Sequence, residues 1–176
     1  MGKAAAKNNA LRRLEAAGVV YEAFEFSPEL HSATAVASVL GIVESAVYKT
    51  IVVLRERGRP LLVMLAGDRE IDPKALAKSL GEKRLEVASK RAAERLTGLQ
   101  VGGISALALL DRNFEPCLDG AALQLERLYV NGGRRGLNVR VAVADLIKLT
   151  NARIVTRFYL VLVSVGAVLA SEQGRH

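Results

Sequence analysis

Apolar positions recur along this chain with two periods, one near 3.6 residues and one of 2, and the changes between them mark out its elements. Ala10, Leu11, Leu14 and Ala17 fall at helical spacing before Gly18, predicting a short amphipathic helix with a glycine stop. Residues 20–26 alternate instead. Val20, Glu22, Phe24 and Phe26 share one face and Tyr21, Ala23 and Glu25 the other, so a half-buried strand is expected, ended by Ser27 and Pro28. Ser32 or Thr34 can cap a second helix whose stripe is Ala35, Val36, Val39 and Leu40, with Gly41 to close it. The apolar runs 46–54 and 61–66 flank a charged turn and predict a hairpin of buried central strands.

Asp72 followed by Pro73 combines a capping side chain with proline at the first turn, and Gly81 supplies the stop of that helix. Residues 89–98 repeat the same grammar. Strands are expected at 114–118, at 128–131 and through Leu137, Val139 and Val141, and a last helix at 143–149. The resulting fold class is α/β in the mixed, α+β sense, one domain around one sheet. Residues 158–170 are almost wholly apolar. A stretch of that length is short of the roughly 20 residues that span a bilayer, so residues 158–176 are expected to form a packed or oligomer-forming tail on a domain of residues 1–157.

Composition narrows the picture. Of 176 residues 51% are hydrophobic, only 5% are aromatic and none is Trp, which predicts an aliphatic core and argues against disorder. Lys and Arg number 25 against 18 Asp and Glu, a formal charge of +7 that suits a phosphate-bearing partner. The single cysteine, Cys117, excludes an internal disulfide framework and fits a reducing, cytoplasmic setting. Residues 1–9 contain no apolar stretch of signal-peptide length.

Lys49 interrupts the most apolar strand, Val47-Tyr48-Lys49-Thr50-Ile51-Val52-Val53, and shares its face with Val47, Ile51 and Val53. A lysine there must reach a polar cavity, a carboxylate or solvent, and its apolar neighbours favour a cavity. In Thr97-Gly98-Leu99-Gln100-Val101-Gly102-Gly103-Ile104-Ser105, paired glycines let the backbone approach a ligand, or simply make a turn. Asn131-Gly132-Gly133-Arg134-Arg135-Gly136 is either a solvated hairpin loop or an arginine fork for phosphate or sugar. His31 has no companions at metal-ligand spacing and stands at a pocket entrance or a helix start. Cys117 reads as a small buried side chain. No Ser-His-Asp or Cys-His order stands out.

Taken together, His31 with the following Ala-rich helix, Val47-Tyr48-Lys49-Thr50, Thr97-Gly98, Val101-Gly102-Gly103-Ile104-Ser105 and residues 129–137 resemble the YbaK family of aminoacyl-tRNA deacylases over roughly residues 9–155. The resemblance implies a curved, barrel-like mixed sheet surrounded by helices and a pocket for the aminoacylated end of a tRNA. It implies removal of cysteine mischarged on tRNA(Pro), or of alanine in relatives that include the editing domain of bacterial prolyl-tRNA synthetases. By the same resemblance Lys49 is the key lysine, and Gly102, Gly103, Ile104 and Ser105 form the loop around the substrate carbonyl. Phe26, His31, Tyr48, Thr50, Gly132, Gly133, Arg134, Arg135 and Asn138 become candidate substrate or tRNA contacts. Ala106, Asn138 and Phe26 depart from the family pattern, where proline, an acidic residue and tyrosine are common. No metal or other cofactor is expected. Mischarged tRNA(Pro) is the expected partner, prolyl-tRNA synthetase and a second copy of the chain are candidates, and neither DNA nor membrane is expected. The competing readings are a non-catalytic RNA- or nucleotide-binding module and a synthetase-associated partner.

Overall fold

The computed structural model of the chain describes residues 8–161. Five helices, α1 (Asn9–Ala16), α2 (Ala33–Leu40), α3 (Pro73–Leu80), α4 (Lys90–Thr97) and α5 (Val143–Thr150), surround ten strands. These are β1 (Tyr21–Glu25), β2 (Val47–Arg55), β3 (Leu61–Ala66), β4 (Arg69–Ile71), β5 (Leu85–Val87), β6 (Glu115–Asp119), β7 (Arg127–Asn131), β8 (Leu137–Ala142), β9 (Arg153–Val155) and β10 (Tyr159–Val161).

Local chemistry explains the helix limits. Asn8, Ser32, Asp72 and Ser89 each accept an amide from the first turn, and Gly41, Gly81 and Gly98 end their helices in the left-handed region. Two expectations shift. In α2 the buried residues are Val36 and Ala37, while Val39 is 58% exposed, so the stripe runs through 33, 36, 37 and 40. Val20 is 77% exposed and precedes β1.

The main sheet is mixed, in the order β1-β8-β7-β2-β3-β6-β9, with β5 also on β2. One edge of β2 is covered along its length by β3, from Tyr48↔Ala66 to Val53↔Leu61. The other edge is shared. Parallel β7 takes Val47 and Tyr48, and antiparallel β5 takes 53–55. Between them, Lys49, Thr50 and Ile51 have no strand partner on that side, and the sheet parts there. Alternation along β2 separates its two faces: Tyr48 and Val52 point into the main cluster with Leu62, Met64 and Leu118. Val53 belongs to a second cluster with Leu61, Val63, Leu65 and Cys117 under α3, and Val47 to a third under α2.

The apolar stretch expected to begin a tail is part of this packing at its start. Phe158 is fully buried in the second cluster, its carbonyl accepts from the Asp72 amide at 2.8 Å, and β10 pairs with β4. Residues 162–176 lie outside the described residues. Phe158→Ala is expected to cost about 3–5 kcal/mol, the usual penalty for emptying a buried phenylalanine site, and thermal denaturation of the two proteins measures it.

Candidate active site

The parting of β2 from β7 and β5 opens a cleft of about 390 Å³. Lys49, Thr50 and Ile51 form one wall, Val87 and Ala88 another, and Gly102, Ile104 and Asn131 a third. Its rim carries Phe26, His31 and Thr34 from the turn into α2 and its first residues. A pocket of this size, largely apolar with a few polar groups, suits a small ligand or the end of a larger one.

Lys49 is half-buried here, and its Nζ donates to the Gly67 carbonyl at 3.1 Å. Burial lowers its pKa from the ordinary lysine value, against the opposing pull of Glu70, Glu44 and Asp68. None of those carboxylates pairs with it. Gly67 was not singled out by sequence, although Gly-Asp after an apolar run signals a turn. The fold shows why it is glycine: a Cβ there would lie 2.1 Å from the Ala33 Cβ, so the turn holding Lys49 is also the seat of α2.

The two glycine-rich motifs meet. A Cβ on Gly103 would lie 2.8 Å from the Arg135 nitrogen and 2.9 Å from the Arg134 carbonyl carbon, so the loops touch backbone to backbone. Asn131 Nδ2 donates to the Gly102 and Arg134 carbonyls at 2.7 and 3.1 Å, and its Oδ1 accepts the Gly133 amide at 2.7 Å. One side chain thus stitches both loops together. Asn8 Nδ2 pins the turn through the Gly132 carbonyl at 2.7 Å. Thr97 and Glu94 fix the approach, accepting from the Leu99 and Val101 amides.

Several expected contacts are placed differently. The arginine fork is committed to the protein: Arg134 pairs with Glu25 at 2.5 Å and Arg135 Nε donates to the Val101 carbonyl at 2.8 Å. Both act as struts of the turn and neither lines the cleft. The Gly103 amide is spent on the Gln100 carbonyl at 2.8 Å. Ser105 is 2% exposed with an unpartnered Oγ beneath the loop. That leaves the Gly102 and Ile104 amides, on residues that line the cleft, without a protein acceptor among the described residues. Tyr48 is among the residues lining the cleft, while its side chain is buried in the main core, where burial beside Asp119 pushes its pKa up to about 12. Phe26, Thr50 and Asn138 line the cleft, Asn138 being 5% exposed. His31 also lines it, its Nδ1 3.2 Å from the Pro28 carbonyl. Lys90, at the start of α4, joins the lining without having been anticipated.

Residues 27–149 match the family described as the aminoacyl-tRNA editing domain. The chain belongs to that family. Membership places it among the deacylases of aminoacyl-tRNA. A protein of Enterococcus faecalis named as a candidate Cys-tRNA(Pro)/Cys-tRNA(Cys) deacylase, EbsC, is 33% identical over 149 residues, covering 84% of this chain and 90% of that one. A proline–tRNA ligase of Thermodesulfovibrio yellowstonii is 30% identical over 110 residues, 62% of this chain but only 18% of the ligase. Among solved structures, a candidate trans-editing enzyme for prolyl tRNA synthetase superposes with a TM-score of 0.70 at 22% identity, over 85% of this chain and 96% of that one. A hypothetical protein, APE2540, gives 0.79 at 23%, over 87% and 100%. These two share the editing-domain fold.

No hydroxyl of the cleft is paired with a histidine among the described residues; Thr34 Oγ1 donates to Glu44, tying α2 to the turn that leads into β2. Cys117 lies on β6, fully buried, and burial raises its thiol pKa to about 11. It is therefore expected to resist iodoacetamide at neutral pH in the native protein and to react after denaturation, as mass spectrometry of the alkylated chain would show. Among the described residues no helix is long and apolar enough to cross a membrane, and no group of His, Cys, Asp or Glu could hold a metal ion.

Proposed function

We propose that this chain removes cysteine mischarged on tRNA(Pro), acting in trans in the cytoplasm, with the aminoacyl ester seated in the gap of β2. The observation that carries the reading is the half-buried Lys49 ammonium at a cleft with no hydroxyl–histidine pair and no cysteine in its wall among the described residues. Such a site offers charge and positioning rather than a nucleophile, and an ester whose own side chain can attack needs nothing more. The cysteine sulfur bonds to the carbonyl carbon, the bond to the ribose oxygen breaks, and the thiol proton ends on that oxygen. The products are free tRNA and a cyclic thiolactone. The Gly102 and Ile104 amides are placed to receive the oxyanion formed on the way. Lys49 holds the terminal ribose or phosphate, and Asn138 offers the cleft a buried amide. The similarity to EbsC supports cysteine as substrate.

The test is a panel of charged tRNA(Pro) species: cysteinyl, S-methylcysteinyl, alanyl and prolyl. Cysteinyl-tRNA(Pro) is expected to be cleared fastest and its S-methyl derivative to resist. Equal clearance of the two would overturn self-attack, and inertness towards the whole panel would favour a binding module.

A further inference from the structure

The segment that runs from just before β5 through α4 carries a concentration of exposed cations. Within residues 83–95, Lys83, Arg84, Lys90, Arg91 and Arg95 are all exposed, and none makes an ion pair among the described residues. Elsewhere among the described residues six arginines are neutralised. Arg13, Arg55, Arg69, Arg127, Arg134 and Arg140 each meet a carboxylate. Two of the nearby acids are engaged: Glu82 belongs to Arg55, and Glu94 accepts the Val101 amide. Glu86 and, in the wall of one flanking groove, Glu56 make no ion pair among the described residues, so the local balance remains cationic. Two shallow grooves flank the start of the segment, and Arg57, Lys74 and Lys78 add further cations to their walls.

This stripe runs to the cleft. Arg55, at the far end of β2, lies six residues from Lys49, roughly 20 Å at the rise of a strand, and is opposite Leu85, with Arg84 and Lys83 just beyond. From there β5 returns along β2 to Val87, Ala88 and Lys90, which line the cleft.

We propose that Lys83, Arg84, Arg91 and Arg95 form a docking surface for the phosphate backbone of the acceptor stem of the tRNA whose charged end occupies the cleft. The inference rests on the reading that the substrate is a charged tRNA. A nucleic-acid duplex presents a phosphate about every 1.7 Å of its axis, so a 20 Å path passes on the order of ten charges, ample for these cations. Backbone contacts of this kind are independent of sequence and fix the register of the end against the cleft.

The test compares wild type with Lys83→Gln/Arg84→Gln/Arg91→Gln, a variant that breaks no ion pair among the described residues, on cysteinyl-tRNA(Pro) and on a cysteinyl CCA trinucleotide that lacks the stem. For the full tRNA the variant is expected to raise KM by at least about 10-fold and to reduce the salt slope of binding by about 2–3, near one unit for each phosphate no longer neutralised. On the trinucleotide the two proteins should be equal. Unchanged KM and slope on the full tRNA would overturn the docking surface. So would a defect that emerges only when prolyl-tRNA synthetase is added, since the stripe would then face a protein. If wild type deacylates neither substrate yet binds uncharged tRNA with a slope that the variant reduces, the docking surface stands and the deacylase reading fails.

Discussion

Lys49→Ala is expected to lower deacylation by on the order of 100-fold, the cost of losing alignment in a preorganised site, while the protein stays folded. The ammonium has the Gly67 carbonyl as its hydrogen-bond partner and faces Glu70, Glu44 and Asp68 without an ion pair. It is held in place by a carbonyl and by no direct ion pair, as a contact for an anionic or oxygen-rich substrate requires. Folding should suffer little, because alanine removes a group that is costly to desolvate. Lys49→Arg should fail as well, since a planar fork cannot replace a compact ammonium against the Gly67 carbonyl. Circular dichroism and single-turnover rates separate folding from chemistry. The pH profile carries a second signature. Burial lowers the lysine pKa, so activity that needs the charge is lost, as pH rises, earlier than for an ordinary lysine. The stability contribution has the opposite sign: in the window between the folded and unfolded pKa values the unfolded chain holds the extra proton, so stability from this group rises with pH.

Gly103→Ala should be nearly as damaging to activity by a different route. Its Cβ would meet backbone atoms of Arg134 and Arg135 at 2.8–3.1 Å, and backbone cannot swing aside as a side chain can. The loops must part, pulling Gly102 and Ile104 away from the carbonyl they are placed to receive. We expect a loss of about 1–3 kcal/mol in stability, as for other overpacked sites, and a rate loss on the order of 100-fold from misalignment. Gly98→Ala is the control. Gly98 has φ +71° with no atom near the new Cβ, so it should cost about 1–2 kcal/mol of left-handed strain and leave the rate alone. Denaturant unfolding beside single-turnover kinetics distinguishes the two.

What could be read in advance follows from the range of the forces. Ser32, Asp72-Pro73, Gly81, Ser89 and Gly98 announce their helix ends because capping is settled within four residues. The apolar runs of β2 and β3 announce a buried hairpin for a similar reason. Lys49 was legible as an anomaly, a cation on an apolar strand. The gap beside it was not, since it exists only because β7 and β5 grip opposite ends of β2, pairings between residues far apart in sequence. Gly67 and Asn131 were missed on the same grounds: their roles are contacts with Ala33 and Gly102. The partners of Arg134 and Arg135 were not legible, since Glu25 and the Val101 carbonyl come beside these guanidinium groups only in the fold. The stripe of α2 was half right: 36 and 40 face inward as expected, while 33 and 37 take the places given to 35 and 39, since all four are apolar in sequence.

The placement of the reacting end in the gap of β2 is tested most directly by titrating a non-cleavable amide analogue of 3′-cysteinyl adenosine into the isotopically labelled protein and following the backbone amides by NMR. The account predicts the largest shifts at Lys49, Thr50 and Ile51 on β2 and at Gly102 and Ile104 across the cleft, with Gly98 and Cys117 unmoved. Shifts confined to residues outside that gap, with Lys49 and Gly102 undisturbed at saturation, would contradict it.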